Sequence, residues 1–343
     1  MRPALLKYLF ILLLLRGGIS YAQDIHFSQF FEAPLLRNPS LAGIFNGDIR
    51  VQGVYRDQWN SFTNAYRSGS FNMEYKQPIG RQDDFITMGL QTVYDKAGSV
   101  ALTTTQILPA LNYHKSLNSD RNMYLSLGFM GGLVQKRLDR SRVTTNNQYD
   151  GNGYNPSLPD GEYFTDFKQN YWDGSVGMSF NSNLSSNEDN TFFIGAAYHH
   201  FNRPLNSFYK DPTIGLEPKW VFSSGVKLAI NEYSFFNLQG DYSQQAGSQE
   251  VVAGALYGHK LGDFPDDPQY IIYAGAFLRW RDALIPVVKI DFRPMSVAIS
   301  YDVNVSQLKT ASMGRGGVEL SVSYMGFLDR FNTTRDAVRC PRF

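Results

Sequence analysis

The residues of this chain that could do chemistry are few and dispersed. The five histidines include one adjacent pair and no His-x-x-x-His spacing, and Cys340 is the single cysteine. The histidines are His26, His114, His199, His200 and His259. A zinc-type site needs several such ligands close together, and catalysis needs a nucleophile with its base or a pair of carboxylates. The sequence therefore predicts neither an enzyme nor a transition-metal site.

One long polar segment, 137–170, offers oxygen ligands for a hard cation. It contains Asp150-Gly151-Asn152-Gly153 and Asp160-Gly161-Glu162. Carboxylate and amide oxygens suit Ca²⁺, but the spacing differs from that of the twelve-residue calcium loop. Asn, Asp and Gly are also the ordinary residues of surface turns. The preferred prediction is no cofactor, with Ca²⁺ in the loop 137–170 as a weaker alternative. At this length, the loop is also a candidate outer binding surface.

Charge and glycine content argue against two further classes of ligand. Lys and Arg total 32 against 31 Asp and Glu, so no basic footprint for nucleic acid is present and no nucleic acid partner is expected. The sequence Gly314-Arg315-Gly316-Gly317 resembles a phosphate-binding loop in composition. However, it joins two strand patterns rather than opening a helix, which favours a flexible hairpin.

The pattern that must position these residues is an alternation of apolar and polar side chains with period two. In 296–305 the odd positions are apolar and the even positions are polar or small. The range 318–324 also alternates, with the apolar residues at its even positions. Alternation over about ten residues is typical of strands that cross a membrane in a barrel. The predicted strands are 47–56, 67–77, 83–95, 102–116, 122–136, 171–182, 191–201, 219–230, 232–244, 249–260, 269–281, 284–293, 296–305 and 318–328.

The lengths of the connections fit an all-β, antiparallel, up-and-down barrel of about 14 strands. The long connections 57–66, 137–170, 202–218 and 306–317 all follow odd-numbered strands, and short ones follow even-numbered strands. Outer-membrane barrels alternate long outer loops with short periplasmic turns in this way. We therefore expect a transmembrane barrel with both termini in the periplasm. A soluble β-sandwich is the weaker alternative.

The first residues predict export. The apolar run Tyr8–Leu15 follows basic residues and precedes the small-x-small pattern Ser20-Tyr21-Ala22. We expect a signal peptide at 1–22, a periplasmic segment at 23–46, the barrel at 47–328 and a periplasmic tail at 329–343. The segment 23–46 is too apolar to remain in water, so we expect it either to plug the lumen or to bind another protein.

The two faces of the predicted strands give further expectations. We expect the charged residues Asp302, Glu319, Lys289, Asp291 and Arg293 to face the lumen, as structural ion pairs rather than as a selectivity filter. Aromatic residues at strand ends are expected to form interfacial girdles. These are Tyr55, Trp59, Tyr75, Tyr94, Tyr113, Tyr171, Trp172, Tyr198, Trp220, Tyr233, Tyr273 and Trp280.

Three groups of sequence resemble one known family. They are QDIHFSQF at 23–30 with NPSLAG at 38–43 and YRDQW at 55–59; HFNRPLNSF at 200–208 with EPKW at 217–220; and SYDVNVS at 300–306 with GRGGVELS at 314–321 and CPRF at 340–343. Together they resemble the PorP/SprF family, outer-membrane proteins of the type IX secretion system of Bacteroidetes. Ile25, where the family pattern has Pro, and the EPKW sequence depart from it, which leaves partner specificity open.

The resemblance implies a non-enzymatic role in gliding or adhesion. The barrel would assist export or surface anchoring of a partner adhesin that carries a type B C-terminal sorting domain. Other type IX secretion components, including the periplasmic ring, and outer-membrane lipid are the further partners expected. The candidate partner-binding residues are Phe27, Phe30, Phe31, Asn38, Pro39, Arg56, Trp59, Asn202, Arg203, Pro204 and Arg315.

A barrel of about 14 strands is too narrow for a folded adhesin to cross its packed interior. We therefore expect a partner to dock on the loops or turns rather than to pass through the lumen. The rival function is an outer-membrane porin or a channel for a small solute.

Overall fold

A closed antiparallel β-barrel accounts for most of the described chain. The computed structural model describes residues 24–58, 66–80, 83–163, 166–184, 190–306 and 315–328; the expected signal peptide, Trp59 and the expected tail lie outside them. The strands are β1 (Ile49–Gln58), β2 (Tyr66–Pro78), β3 (Phe85–Ala97), β4 (Leu102–Asn118), β5 (Met123–Arg137), β6 (Lys168–Asn183), β7 (Thr191–His199), β8 (Lys219–Ala229), β9 (Ser234–Gln245), β10 (Ser248–Leu261), β11 (Tyr270–Arg279), β12 (Ala283–Phe292), β13 (Met295–Asn304) and β14 (Arg315–Gly326).

The order of these strands is that of an up-and-down barrel. Each strand pairs with its neighbours in the sequence, and β1 pairs with β14 to close the ring. The predicted fold and strand number are confirmed, and each strand bound lies within three residues of its prediction. Within the described ranges, no helix is long and apolar enough to cross a membrane.

Side-chain alternation separates a polar lumen from an apolar outer face. In β13, Ala298, Ser300 and Asp302 point into the lumen and are buried, at 3% exposure or less. Ile299 lies between them on the outer face and is 51% exposed. On the neighbouring strand β14, Glu319 is fully buried in the interior. On these two strands, polar and small side chains therefore line the lumen and aliphatic ones face lipid, as membrane barrels require.

Three sequence-based expectations about these faces are wrong, those for Arg293, Tyr273 and Tyr171. Tyr171 was expected in the aromatic girdle but packs against the buried lumenal cluster beside Val134. Arg293 lies in the turn after β12, where it pairs with Asp267 at 2.9 Å, rather than in the lumen. Tyr273 belongs to the interior rather than to the aromatic girdle, since it is 6% exposed and its hydroxyl donates to Asp291. Strand β11 is apolar on both faces. Its sequence therefore shows no alternation that would predict on which face Tyr273 lies.

The lipid-facing assignment of β13 gives a testable prediction. Ile299→Arg is expected to destabilise the folded barrel by roughly 2–4 kcal/mol, because it places a charge near the middle of the membrane. Val305→Arg is the matched control: Val305 follows the end of β13, and the same change near the interface is expected to cost about 0–1 kcal/mol. Equilibrium unfolding in lipid vesicles measures both. Equal losses at the two positions would contradict the assigned face.

A candidate functional site in the barrel lumen

Residues 24–46, here called the lumenal segment, cross the interior of the barrel before β1 begins. We call the end that carries the connections after odd-numbered strands the loop end, and the opposite end the turn end. At the loop end, the backbone N–H of Asp24 donates to Gln245, the last residue of β9. Toward the turn end, the N–H of Gly43 donates to Glu74 of β2 at 2.7 Å. The segment therefore fills the lumen along most of its length.

This path corrects the expectation that both termini share one side. The backbone N–H of Leu328, after β14, donates to Asp48 at the turn end, whereas Asp24 lies at the loop end. The two limits of the described chain are therefore at opposite ends of the barrel. The expectation allowed the segment 23–46 to plug the lumen, but it had the segment begin on the same side as the tail, whereas Asp24 lies at the loop end.

A buried ion-pair network holds the part of the lumenal segment that lies nearer the loop end. The backbone N–H groups of Ser28 and Gln29 donate to the two carboxylate oxygens of Glu319 at 2.6 and 2.7 Å. The hydroxyl of Ser28 donates to Asp302 at 2.8 Å, and Arg56 contacts both carboxylates. In a dry interior, such charges are tolerated only when they are paired and hydrogen-bonded. The segment therefore supplies donors that the wall carboxylates need.

Arg37 fixes the middle of the segment to the opposite wall. Its guanidinium donates to both carboxylate oxygens of Asp241, at 2.5 and 2.8 Å, and to the side chain of Gln239 at 2.9 Å. The same guanidinium lies 4.7 Å from the ring centre of Phe30. A bidentate arginine–carboxylate pair defines both distance and orientation. Arg37 therefore sets the depth of the segment in the lumen.

Glycines of the wall allow the segment to approach closely. Pro39–Leu41 forms a 3₁₀ turn whose backbone lies directly on strands β5 and β6. A Cβ atom built on Gly128 would lie 2.5 Å from the carbonyl carbon of Pro39, and one on Gly177 would overlap the side chain of Asn38. Only glycine leaves that space. Asn112 completes the contact by donating to the carbonyl of Ser40 at 2.6 Å.

Apolar packing adds to these polar contacts. Phe30 and Phe31 each lie with their ring centres 5.2 Å from that of Phe277 on β11, and Leu35 is fully buried. Phe27 packs with Val54 of β1. Burial of each large apolar side chain contributes about 1.5–3 kcal/mol. The apolar residues that made this segment conspicuous in the sequence are thus covered by the barrel.

At the loop end, Asp24, His200 and Asp173 form a latch between the segment and the wall. His200 Nε2 lies 2.5 Å from Asp24 Oδ2, and His200 Nδ1 lies 2.8 Å from Asp173 Oδ2. Burial works to lower the pKa of His200, but the charges of Asp24 and Asp173 raise it to about 9. Burial would raise the pKa of Asp24, yet His200 holds it well below its usual range. The latch is therefore an imidazolium between two carboxylates at neutral pH.

The predicted partner-binding residues fall into two groups. Phe27, Phe30, Phe31, Asn38, Pro39 and Arg56 come together in the lumen, where each is buried. Asn202, Arg203 and Pro204 lie in the connection after β7, where Asn202 donates to the carbonyl of Trp172 at 2.7 Å. Arg315 begins β14 opposite Val303, and Trp59 lies outside the described residues. Partner binding by any of them stays a prediction.

Several residues of the site were not found from the sequence. Besides the latch and the Arg37–Asp241 pair, Arg50 donates to the carboxylate of Glu74 near the turn end. A signal for Glu74 existed, because it lies on the polar face of an alternating strand, between Asn72 and Lys76. No such periodicity marks Asp24 or Arg37.

The connection after β5, described over residues 138–163, is organised by its own side chains. Arg140 pairs with Asp160, and Asp150 accepts hydrogen bonds from the N–H groups of Asn152 and Gly153. Across the ranges the structure describes, no group of three or more His, Cys, Asp or Glu side chains is placed to hold a metal ion. Calcium binding by this loop stays the weaker alternative.

Several solved structures match the chain over most of its length but are distant in sequence. The Ralstonia pickettii toluene transporter TbuX matches with a TM-score of 0.49 at 11% identity, covering 91% of this chain and 96% of that one. A Pseudomonas aeruginosa FadL homologue gives 0.46 at 11%, covering 90% and 95%. The KdgM porin gives 0.37 at 6%, covering 80% and 98%. No curated protein matches the chain in sequence.

A family model gives the decisive match. The model for the type IX secretion system membrane protein PorP/SprF matches residues 19–324. That range includes the lumenal segment, the latch and nearly the whole barrel, in agreement with the resemblance of the 23–30, 200–208 and 300–306 sequences. The chain therefore belongs to the PorP/SprF family of type IX secretion system membrane proteins.

Proposed function

We propose that this barrel is a non-enzymatic component of type IX secretion that assists export or surface anchoring of a partner adhesin with a type B C-terminal sorting domain. Family membership is the observation that carries the proposal. The filled lumen supports it against the porin alternative. A steady aqueous path would have to displace a segment held by the Glu319 and Asp241 networks.

The contacts with secretion partners then fall on the ends of the barrel. In this state, the lumenal residues Phe30 and Phe31 are 6% exposed and touch the wall, not solvent. The loop end, in contrast, carries exposed aromatic side chains in the connection after β5: Tyr149 is 62% exposed, Tyr154 58% and Tyr163 85%. Exposed aromatic residues are enriched where proteins bind one another. We place the loop end outside the cell and the adhesin contact on it, with the turn end facing the periplasmic components.

Deletion of the gene tests this role. We expect loss of surface display of one large secreted adhesin, with restoration by the intact chain. The purified barrel in planar bilayers is expected to show little steady conductance, because the lumenal segment occupies the lumen. Surface labelling of the adhesin and single-channel recording are the two measurements.

The porin alternative gives the opposite pair of results. Large, stable, ohmic conductance of the intact barrel, together with normal adhesin display in the deletion strain, would overturn the proposed function. Normal display with a silent barrel would also contradict it, because the secretion role alone predicts the loss of display.

A further inference from the structure

A groove of about 590 Å³ crosses the lipid-facing surface of the barrel from β5 to β10. On β8, β9 and β10 its floor consists of Ser224, Gly240 and Ala253, which are successive partners in the strand register. The polar side chain of this floor, that of Ser224, donates its hydroxyl to the carbonyl of Gly240 at 3.4 Å. The floor therefore presents mainly apolar surface to whatever fills the groove.

The wall of the groove on the side of the loop end is a stack of aromatic rings. The ring centres of Phe222 and Tyr242 lie 6.2 Å apart, and that of Trp220 lies 6.1 Å from Phe222 with the two planes 8° apart. Val251 continues this wall as the register partner of Tyr242. Stacked rings attract one another, so Phe222 is held beside its neighbours and leaves the floor open.

The floor is one residue wide. On the outer face of β8, Ser224 lies between Phe222 and Val226. These two residues are about 13 Å apart along the strand, and their side chains fill part of that distance. An α-helix with its side chains is about 10–12 Å across and does not enter a gap of this width, whereas a single methylene chain does.

The length and slope of the groove match one leaflet of a membrane. It begins beside Leu125, near the turn end of β5, and ends beside Ala253, near the middle of β10. The adjacent strands β5 to β10, spaced by about 4.8 Å, give it a length of roughly 24 Å. Because the strands of such barrels tilt by about 35–45°, a line across them rises by roughly 14–17 Å. One leaflet is about 15 Å thick, half of the hydrocarbon core of a bilayer.

We propose that this groove binds one acyl chain of a phospholipid from the leaflet on the side of the turn end. The outer face of a membrane barrel contacts lipid hydrocarbon, so acyl chains surround the groove. A chain that lies in it contacts the floor and the exposed side chains of Met178, Ile194 and Phe222 together. An unfilled gap would forfeit these dispersion contacts. The proposal concerns the wall of the barrel and does not depend on its role in secretion.

Photo-cross-linking to the full chain in phospholipid vesicles tests the proposal. The probe is phosphatidylethanolamine with a diazirine in the middle of one acyl chain, diluted into unlabelled phosphatidylethanolamine and phosphatidylglycerol. Mass spectrometry of the digested barrel locates the adducts. We expect roughly tenfold more adducts on Ile194 and Phe222 than on Phe71 and Leu320, because a chain held in the groove meets the same side chains throughout. Phe71 and Leu320 are exposed residues of the opposite wall.

Variants separate a held chain from the lipid that surrounds any barrel. Ser224→Leu with Ala253→Leu fills the floor with apolar side chains and is expected to lower the enrichment roughly tenfold, to the level of the opposite wall. Gly53→Leu with Thr92→Leu is the matched control, since it adds the same side chains to the outer face of β1 and β3 and should leave the enrichment unchanged. A heat-dependent shift in gel mobility verifies that each barrel is folded.

Three results would overturn the proposal. Adducts spread evenly around the unchanged barrel would show ordinary contact with lipid. Enrichment that persists in the variant with the filled floor would show that the groove does not hold the chain. A barrel dimer in native mass spectrometry that the same variant abolishes would assign the groove to a second copy of the chain.

Discussion

Gly128→Leu together with Gly177→Leu is expected to expel the lumenal segment and convert a silent barrel into a conducting one. A side chain on either glycine would occupy the space now taken by Asn38 and Pro39. The wall cannot move away, because β5 and β6 are continuous and each is paired on both sides. At this point the segment is joined to the wall by hydrogen bonds from wall side chains rather than by a backbone ladder, so it is the segment that must yield. Its departure leaves a lumen lined by polar and charged residues, which water can fill.

Two measurements follow this displacement. Steady conductance in planar bilayers is expected to rise by roughly tenfold or more, as an opened polar lumen predicts. Trypsin is expected to cleave after Arg37, which is only 6% exposed in the intact barrel. Gly53→Leu is the matched control. A Cβ on Gly53 meets nothing closer than 3.9 Å, so this variant should stay silent and resistant.

The outcome also bears on the proposed function. Cleavage at Arg37 without conductance would show that the emptied barrel collapses or closes by another route, and would contradict the filled lumen as the reason for silence. Resistance at Arg37 with a folded barrel would show that the segment tolerates the leucines, and would contradict the close contact at Gly128.

The barrel could be predicted from the sequence because the pattern that identifies each strand, the alternation of apolar and polar residues, is local. Alternation in Ser296–Val305 or Val318–Tyr324 assigns each residue to lipid or lumen from its immediate neighbours. The same rule explains the failures. Around Tyr273 both faces are apolar, and Arg293 lies just past the last residue of its strand, so alternation no longer decides its direction.

The path of the lumenal segment could not be predicted because its contacts are remote in sequence. Ser28 meets Glu319 across 291 positions, and Arg37 meets Asp241 across 204. The segment has no regular period, and apolar residues such as Phe30 are equally compatible with a plug and with a docking surface. Its direction follows only from which wall residue each side chain meets. For that reason, Asp24 was expected at the wrong end of the barrel.

The latch at the loop end gives the second large expected effect, a release of Asp24 in alkali. The imidazolium of His200 donates through both ring nitrogens, to Asp173 and to Asp24. A neutral imidazole has one N–H and can donate to only one of them. Because the pKa of His200 is raised from 6.5 to about 9, the stabilisation is fully present below about pH 6.5 and is lost as the pH rises through about 9. The pKa of Asp24 is lowered from 3.8, so its contribution is present above about pH 4 and is lost only in stronger acid.

The rate at which a thiol reagent labels the Ile25→Cys barrel measures the release of Asp24. This parent barrel also carries Cys340→Ser, so that position 25 holds the cysteine that is labelled. The reference is the same cysteine in a His200→Gln barrel, measured with the same reagent at each pH, so the ratio of the two rates removes the pH dependence of the reagent. At pH 7 the parent is expected to label roughly 100-fold more slowly than the His200→Gln barrel, the order of effect that a shift of this size allows. The ratio should approach one between pH 8 and 10. Equal rates at pH 7 would show that His200 does not hold the segment, and a ratio that stays constant up to pH 10 would show that the contact holds without the imidazolium.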